Sequence, residues 1–190
     1  MMHAFSVAVR SGIRLVETSG ASVADADVVV VLLGGVTPSA PWFDDVAKRC
    51  RPGVAVLAVD QVLGDARDLP DLATVLDAFG VAEALVVGSG RSAGAALDLR
   101  RNQPDRVRSV LLIEPDGLPD VTGNCDEASP WGVEILCGDR SSGHRERSDR
   151  VTYVPGLDAT GLLGSAAGID AMMAALGRAL RGRGAPSPAA

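Results

Sequence analysis

Short, nearly uninterrupted apolar runs recur along this chain. They are separated by stretches in which apolar residues return every three or four positions. The runs Asp27–Leu33 (DVVVVLL), Val54–Val59, Ala84–Val87, Ser109–Ile113 and Gly132–Cys137 predict strands buried on both faces, as in a parallel sheet. Helical spacing covers Pro41–Cys50, with Trp42, Val46 and Ala47 on one side, and Asp71–Phe79, with Gly80 as its C-terminal stop. A further helix closes the pattern at Ile169–Leu180, where Met172, Met173, Leu176 and Leu180 form a stripe suited to core packing. Residues 3–18 read as a β-hairpin around Ser11-Gly12, and Val151–Val154 as a last short strand. The segment Gly117–Pro130 is polar and turn-rich. An opening hairpin followed by alternating strands and helices predicts a doubly wound, mostly parallel α/β sheet with helices on both faces.

The centre of the pattern is Ala84–Pro115. A strand there runs into the glycine-rich turn Gly88–Ser92, a helix reaches about Arg101, and a second strand follows. Ligands of such sheets bind beyond the carboxyl ends of the strands. The positions to examine are therefore Leu33–Gly35, Asp60–Gly64, Gly88–Ser92, Glu114–Gly117, Gly138–His144 and Gly156–Thr160.

Composition narrows the function classes. A chain of 190 residues, 47% of them hydrophobic, is long enough for one domain with a full core, expected over residues 1–180. The Gly/Pro/Ala-rich stretch 181–190 reads as a flexible tail. A net charge of −6 without a basic run argues against nucleic acid and anionic membrane as partners. Arg100, Arg101, Arg106 and Arg108 are interspersed with acids and read as a solvated face. Three irregularly spaced cysteines make neither a disulfide framework nor a zinc site, and Cys137 reads as a small core residue. No metal and no cofactor is expected. No stretch resembles a signal peptide or a membrane span, so the expected location is the cytoplasm and the expected partner a small molecule. A homo-oligomer or a partner protein stays open.

Several pieces together resemble the α/β-hydrolase superfamily over nearly the whole length. VVVVLLGG resembles the strand leading to the oxyanion loop, and VAVLAVDQVLG the next strand with its Asp-containing loop. DLATVLDAFGVAEALVVG resembles the helix and strand before the nucleophile elbow, and PDRVRSVLLIEP the segment after it. ILCGD resembles the strand before the catalytic acid, and VPG the approach to the catalytic histidine. The resemblance implies an α/β-hydrolase-like sandwich with little or no lid, since the segment from Glu114 to the Gly132 strand is short.

It also implies a site, which is altered here. The elbow is normally Gly-x-Ser-x-Gly with serine at a strained strand-to-helix turn. Spacing from Gly80 and from Pro104 puts Gly90 at the serine position, while the acid the resemblance implies after Gly138-Asp139 falls near Ser141 and the histidine it implies after Val154-Pro155-Gly156 falls near Ala159. Leu33 or Gly34 replaces the oxyanion-loop histidine. On that alignment the chain is a pseudo-hydrolase. It would bind a small acyl or carbonyl compound, or act on one without a nucleophile, through the turn's backbone N–H groups. Gly34, Gly35, Ser89, Gly90, Arg91, Ser92 and Asp60 would line the site.

Two other readings of the turn stand beside this one. Gly90-Arg91-Ser92-Ala93-Gly94 is itself a Gly-x-Ser-x-Gly match displaced by two residues. Ser92, His144 and Asp139 would then form the triad of a small esterase or thioesterase. The plainer role for Ser92 is to cap the helix, with His144 an exposed loop residue. Gly88-x-Gly90-x-x-Ala93 also fits a dinucleotide fingerprint, with Glu114 at the ribose position. A non-catalytic interaction subunit is a further alternative. Asp60 and Asp158 are candidate carboxylates whose plainer role is to bond loop N–H groups, and Trp42 and Trp131 are more safely read as packing residues.

Overall fold

The computed structural model describes residues 6–9, 13–17, 23–34, 42–61, 72–115, 133–138 and 151–181. The strands are β1 (Ser6–Val9), β2 (Ile13–Glu17), β3 (Val28–Leu33), β4 (Val54–Gln61), β5 (Ala84–Ser89), β6 (Val107–Ile113), β7 (Val133–Gly138) and β8 (Val151–Val154). The helices are α1 (Trp42–Arg49), α2 (Leu72–Ala78), α3 (Ser92–Asn102), α4 (Ala159–Gly164) and α5 (Ala166–Arg181). One sheet holds all these strands in the order β1-β2-β4-β3-β5-β6-β7-β8. β1 and β2 pair antiparallel, as the predicted hairpin, and β2 meets β4 antiparallel. The strands from β4 across to β8 run parallel.

The apolar runs become strands because both sheet faces are covered. Val29, Val31, Leu33, Val86, Leu112 and Cys137 face one core, closed by α2 and α3 through Val75, Leu76, Ala93, Ala96 and Leu97. Their neighbours Val30, Leu32, Val87, Ile113 and Leu136 face a second core, closed by α1, α4 and α5 through Trp42, Val46, Leu162, Met172 and Leu176. Each fully buried Leu, Ile or Val side chain contributes about 1.5–3 kcal/mol from removal of apolar surface from water. Of the predicted α5 stripe, Met172 and Leu176 are fully buried, while Met173 and Leu180 pack at its margin. Trp42 is likewise a packing residue, 4% exposed and edge-on to Phe43.

Two elements differ from the sequence reading. The stretch 156–160, expected as an open loop, leads straight into α4, because the Asp158 carboxylate accepts the Gly161 N–H at 2.7 Å and caps that helix. Asp60, expected to end its strand, lies inside β4, where its backbone pairs in register with Arg14 of β2. Charged side chains fasten the periphery. Arg100 donates to the carbonyls of Pro104 and Val107, and Arg106 donates to Asp77 and to the Val81 carbonyl. Arg108 pairs with Glu83, so three of these arginines are half-buried and tied down, while Arg101, beside Asp98, stays exposed as the solvated-face reading expects. The tail beyond Arg181 lies outside the described residues.

Candidate functional site

The chain leaves β3 toward β4 on one side and enters β6 from β5 on the other. The carboxyl ends of β3 and β5 are therefore the point where strand order reverses, the place where ligands of such sheets bind. The bend from β5 into α3 stands on it. β5 runs as far as Ser89, which still pairs with Ile113 of β6, so the turn is confined to Gly90 and Arg91. This is shorter than the Gly88–Ser92 turn expected from sequence.

Two glycines make so tight a reversal feasible. A Cβ on Gly88 would lie 2.9 Å from Ala93 Cα and from the Ser92 carbonyl oxygen, so only glycine lets α3 fold back this closely on β5. Gly90 takes φ +53°, a left-handed backbone that glycine adopts without steric penalty. Its N–H donates to the Ile113 carbonyl at 2.9 Å, and its carbonyl accepts the Ala93 N–H at 3.2 Å. Arg91 follows at φ −64°, ψ −28°, exposed, with no side-chain cap on the helix.

Ser92 lies in the first turn of α3 and is 3% exposed. Its Oγ accepts the Ser89 N–H at 2.9 Å and donates toward the Leu33 carbonyl at 2.8 Å, with the Ser89 carbonyl at 2.9 Å as a second acceptor. Ser89, also buried, directs its hydroxyl to the same Leu33 oxygen at 3.4 Å. These bonds point back into the strand ends. The helix-capping role expected for Ser92 is replaced by a clasp joining β3 to the bend. On the β3 side, Gly34 is buried and its N–H donates to the Val59 carbonyl at 3.0 Å.

At the end of β6, Glu114 is 9% exposed at φ +44°, the non-glycine residue with left-handed backbone among those described. Its carboxylate accepts the Gly138 N–H at the end of β7, and its own N–H donates to the Leu136 carbonyl at 3.0 Å. The carboxylate that a ribose hydroxyl would need is thus bonded to backbone. Cys137 beside it is fully buried, and desolvation together with the Glu114 charge pushes its thiol up to about 12. A thiol held protonated to that extent is a core residue and a poor nucleophile. Burial also raises the Cys50 thiol.

The structure thus brings Gly34, Ser89, Gly90, Arg91 and Ser92 together at the reversal of strand order. Gly35, Asp139, Ser141, His144 and Trp131 lie outside the described residues, as does the side chain of Asp60. Ala159 opens α4. Glu114 is the residue whose part in the site sequence reading understated: an acid next to a strand end carries no local sign that its backbone is left-handed. Among the described residues no three His, Cys, Asp or Glu side chains converge to hold a metal ion, and no helix is long and apolar enough to cross a membrane. A cavity at the opposite, amino-terminal ends of the strands, bordered by Val28, Leu85, Ser109 and Leu180, has about 20 Å³, room for one water.

No family model matches the chain, and no curated protein matches it in sequence. Solved structures do match its backbone. A predicted CIB-like hydrolase from Thermoplasma acidophilum is similar with TM-score 0.68 and 14% identity, over 95% of this chain and 98% of that one. Naproxen esterase (carboxylesterase NP) from Bacillus subtilis is similar with TM-score 0.66 and 14% identity, over 93% and 91% of the two chains. The thioesterase domain from the curacin biosynthetic pathway is similar with TM-score 0.64 and 13% identity, over 95% and 99%. At such identities the likeness is one of architecture, and it agrees with the sheet order, the two covered faces and the strand-to-helix bend: the chain has the α/β-hydrolase fold.

Proposed function

We propose that this protein binds a small acyl or carbonyl compound in the crevice between the carboxyl ends of β3 and β5, and does so without a Ser-His-acid triad. Any chemistry it performs there proceeds without a covalent nucleophile from the chain. The observation that carries this reading is the bend itself, where Gly90 sits at φ +53° and the nearest following hydroxyl, Ser92, is 3% exposed and bonded to Leu33 and Ser89.

A nucleophilic serine needs an accessible Oγ with a general base within hydrogen-bond reach. Ser92 has its acceptor and donor capacity engaged by backbone, so attack by it would first require breaking the clasp. In this reading the other half of the hydrolase requirement falls to the backbone N–H of Arg91 at the bend. In this fold the amide after the nucleophile position helps to hold the substrate oxygen. Here that amide belongs to Arg91, at the head of a helix whose first N–H groups lack intrahelical partners. Such a site favours a carbonyl or carboxylate oxygen.

Two measurements on the intact protein test the reading. Incubation with a fluorophosphonate probe is expected to leave the protein unlabelled. Titration with butyrate or butyramide is expected to move the amide resonances of Gly90, Arg91 and Ser92 while leaving Val28–Val30 at the far end of the sheet in place. A Ser92 adduct that disappears in Ser92→Ala would overturn the proposal in favour of an esterase. Movement of the same amides with NAD, and not with the acyl compounds, would overturn it in favour of dinucleotide binding.

A further inference from the structure

Glu114 combines features that rarely coincide in one residue. It is a charged side chain at 9% exposure, in a left-handed backbone that a non-glycine residue adopts only at a cost in strain, one strand away from the bend. Its carboxylate takes the N–H of Gly138, the last residue of β7. Gly138 is itself tightly covered: a Cβ there would come within 2.2 Å of the Leu157 carbonyl oxygen and 3.1 Å of Asp158 Cα. On the other side, the residue before Glu114 accepts the Gly90 N–H through its carbonyl at 2.9 Å. The bend is therefore linked through the Ile113 carbonyl and the Glu114 carboxylate to Gly138, which lies close beneath the segment that opens α4.

We propose that Glu114 is a positioning residue, whose carboxylate sets the spacing between the bend at Gly90 and Gly138 at the end of β7, where the Leu157–Asp158 segment rests. The proposal rests on the reading of this edge of the sheet as the binding site, and adds a residue that touches neither the bend nor a ligand. Two facts favour positioning over a simple packing role. The left-handed backbone aims that carboxylate across to β7. The glycine it bonds has no room for a Cβ, which would lie 2.2 Å from the Leu157 carbonyl oxygen, so the segment before α4 rests directly on it.

The test needs no ligand, so its failure is distinguishable from failure of the binding proposal. Amide hydrogen exchange and chemical shifts are compared in the wild type and in Glu114→Gly, Glu114→Ala and Glu114→Gln. Glu114→Gly relieves the backbone strain but orphans the buried Gly138 N–H, so the deciding readout is local exchange rather than Tm. This variant is expected to speed exchange of the Gly138 amide at least tenfold and to shift the amides of Gly90 and Leu157. Glu114→Gln, which keeps an acceptor oxygen, is expected to return Gly138 protection and both shifts to near wild type. A merely stabilising residue would speed exchange across the whole sheet alike in Glu114→Gly, with no effect centred on Gly138, Gly90 and Leu157. That outcome, unchanged Gly138 exchange, or no rescue by Glu114→Gln would overturn the proposal.

Discussion

Two hydroxyls, those of Ser89 and Ser92, converge on the carbonyl oxygen of Leu33, and Ser92 also receives the Ser89 N–H. Removing the Ser92 hydroxyl leaves a buried N–H without its acceptor and weakens the tie to β3. Ser92→Ala should therefore destabilise the fold by about 1–3 kcal/mol, the usual cost of orphaning a buried polar group. Urea denaturation reads this directly as a lower midpoint with an unchanged slope. The sign is informative, because truncating a serine held exposed for catalysis tends to leave stability unchanged or to raise it. The partner that decides the role of Ser92 lies 59 residues earlier in the chain. No local pattern around Gly90 could reveal it, which is why sequence offered a nucleophile and a helix cap as the two readings of one serine.

At the level of elements, close approach of backbones does much of the positioning. The Leu157 carbonyl lies where a Cβ on Gly138 would be, at 2.2 Å, and both are backbone-held. Gly138→Ala must push the start of α4 off the sheet, and we expect a loss of about 1–3 kcal/mol from overpacking, seen as a lower Tm. Gly80, with φ +63° and open space around its Cβ position, is a contrasting case in which only the backbone conformation resists substitution. The strands were largely legible in the chain, because burial on both faces leaves unbroken apolar runs such as Val28–Leu33 and Val54–Val59. Their ends were less so, since strand pairing at Ser89 or Val107 depends on the neighbouring strand rather than on the residue. The short α4 escaped notice because its few residues cannot display a helical period, and only the capping Asp158 announced it.

For the molecule as a whole, the architecture shared with an esterase and a thioesterase domain fixes the fold without dictating what the protein does. Stability should respond to alkali in a way that reports the intact core. The Cys137 thiol is raised from 9.0 to about 12 in the folded protein, so the unfolded chain releases this proton first. Its contribution is fully present below about pH 9 and is lost as pH rises toward 12, with a slope of at most about 1.4 kcal/mol per pH unit for one proton. Cys50, also raised, acts in the same direction. Chemical denaturation across this range should show the decline, and Cys137→Ala should flatten it.

The left-handed backbone at Gly90 has one more consequence. A bulkier residue forced into that conformation would carry a conformational load of roughly 1–2 kcal/mol, a tension that enzymes of this architecture keep at the tip of the turn. Glycine rests there relaxed. Among the described residues that load falls instead on Glu114, one strand over, which holds φ +44° without being glycine.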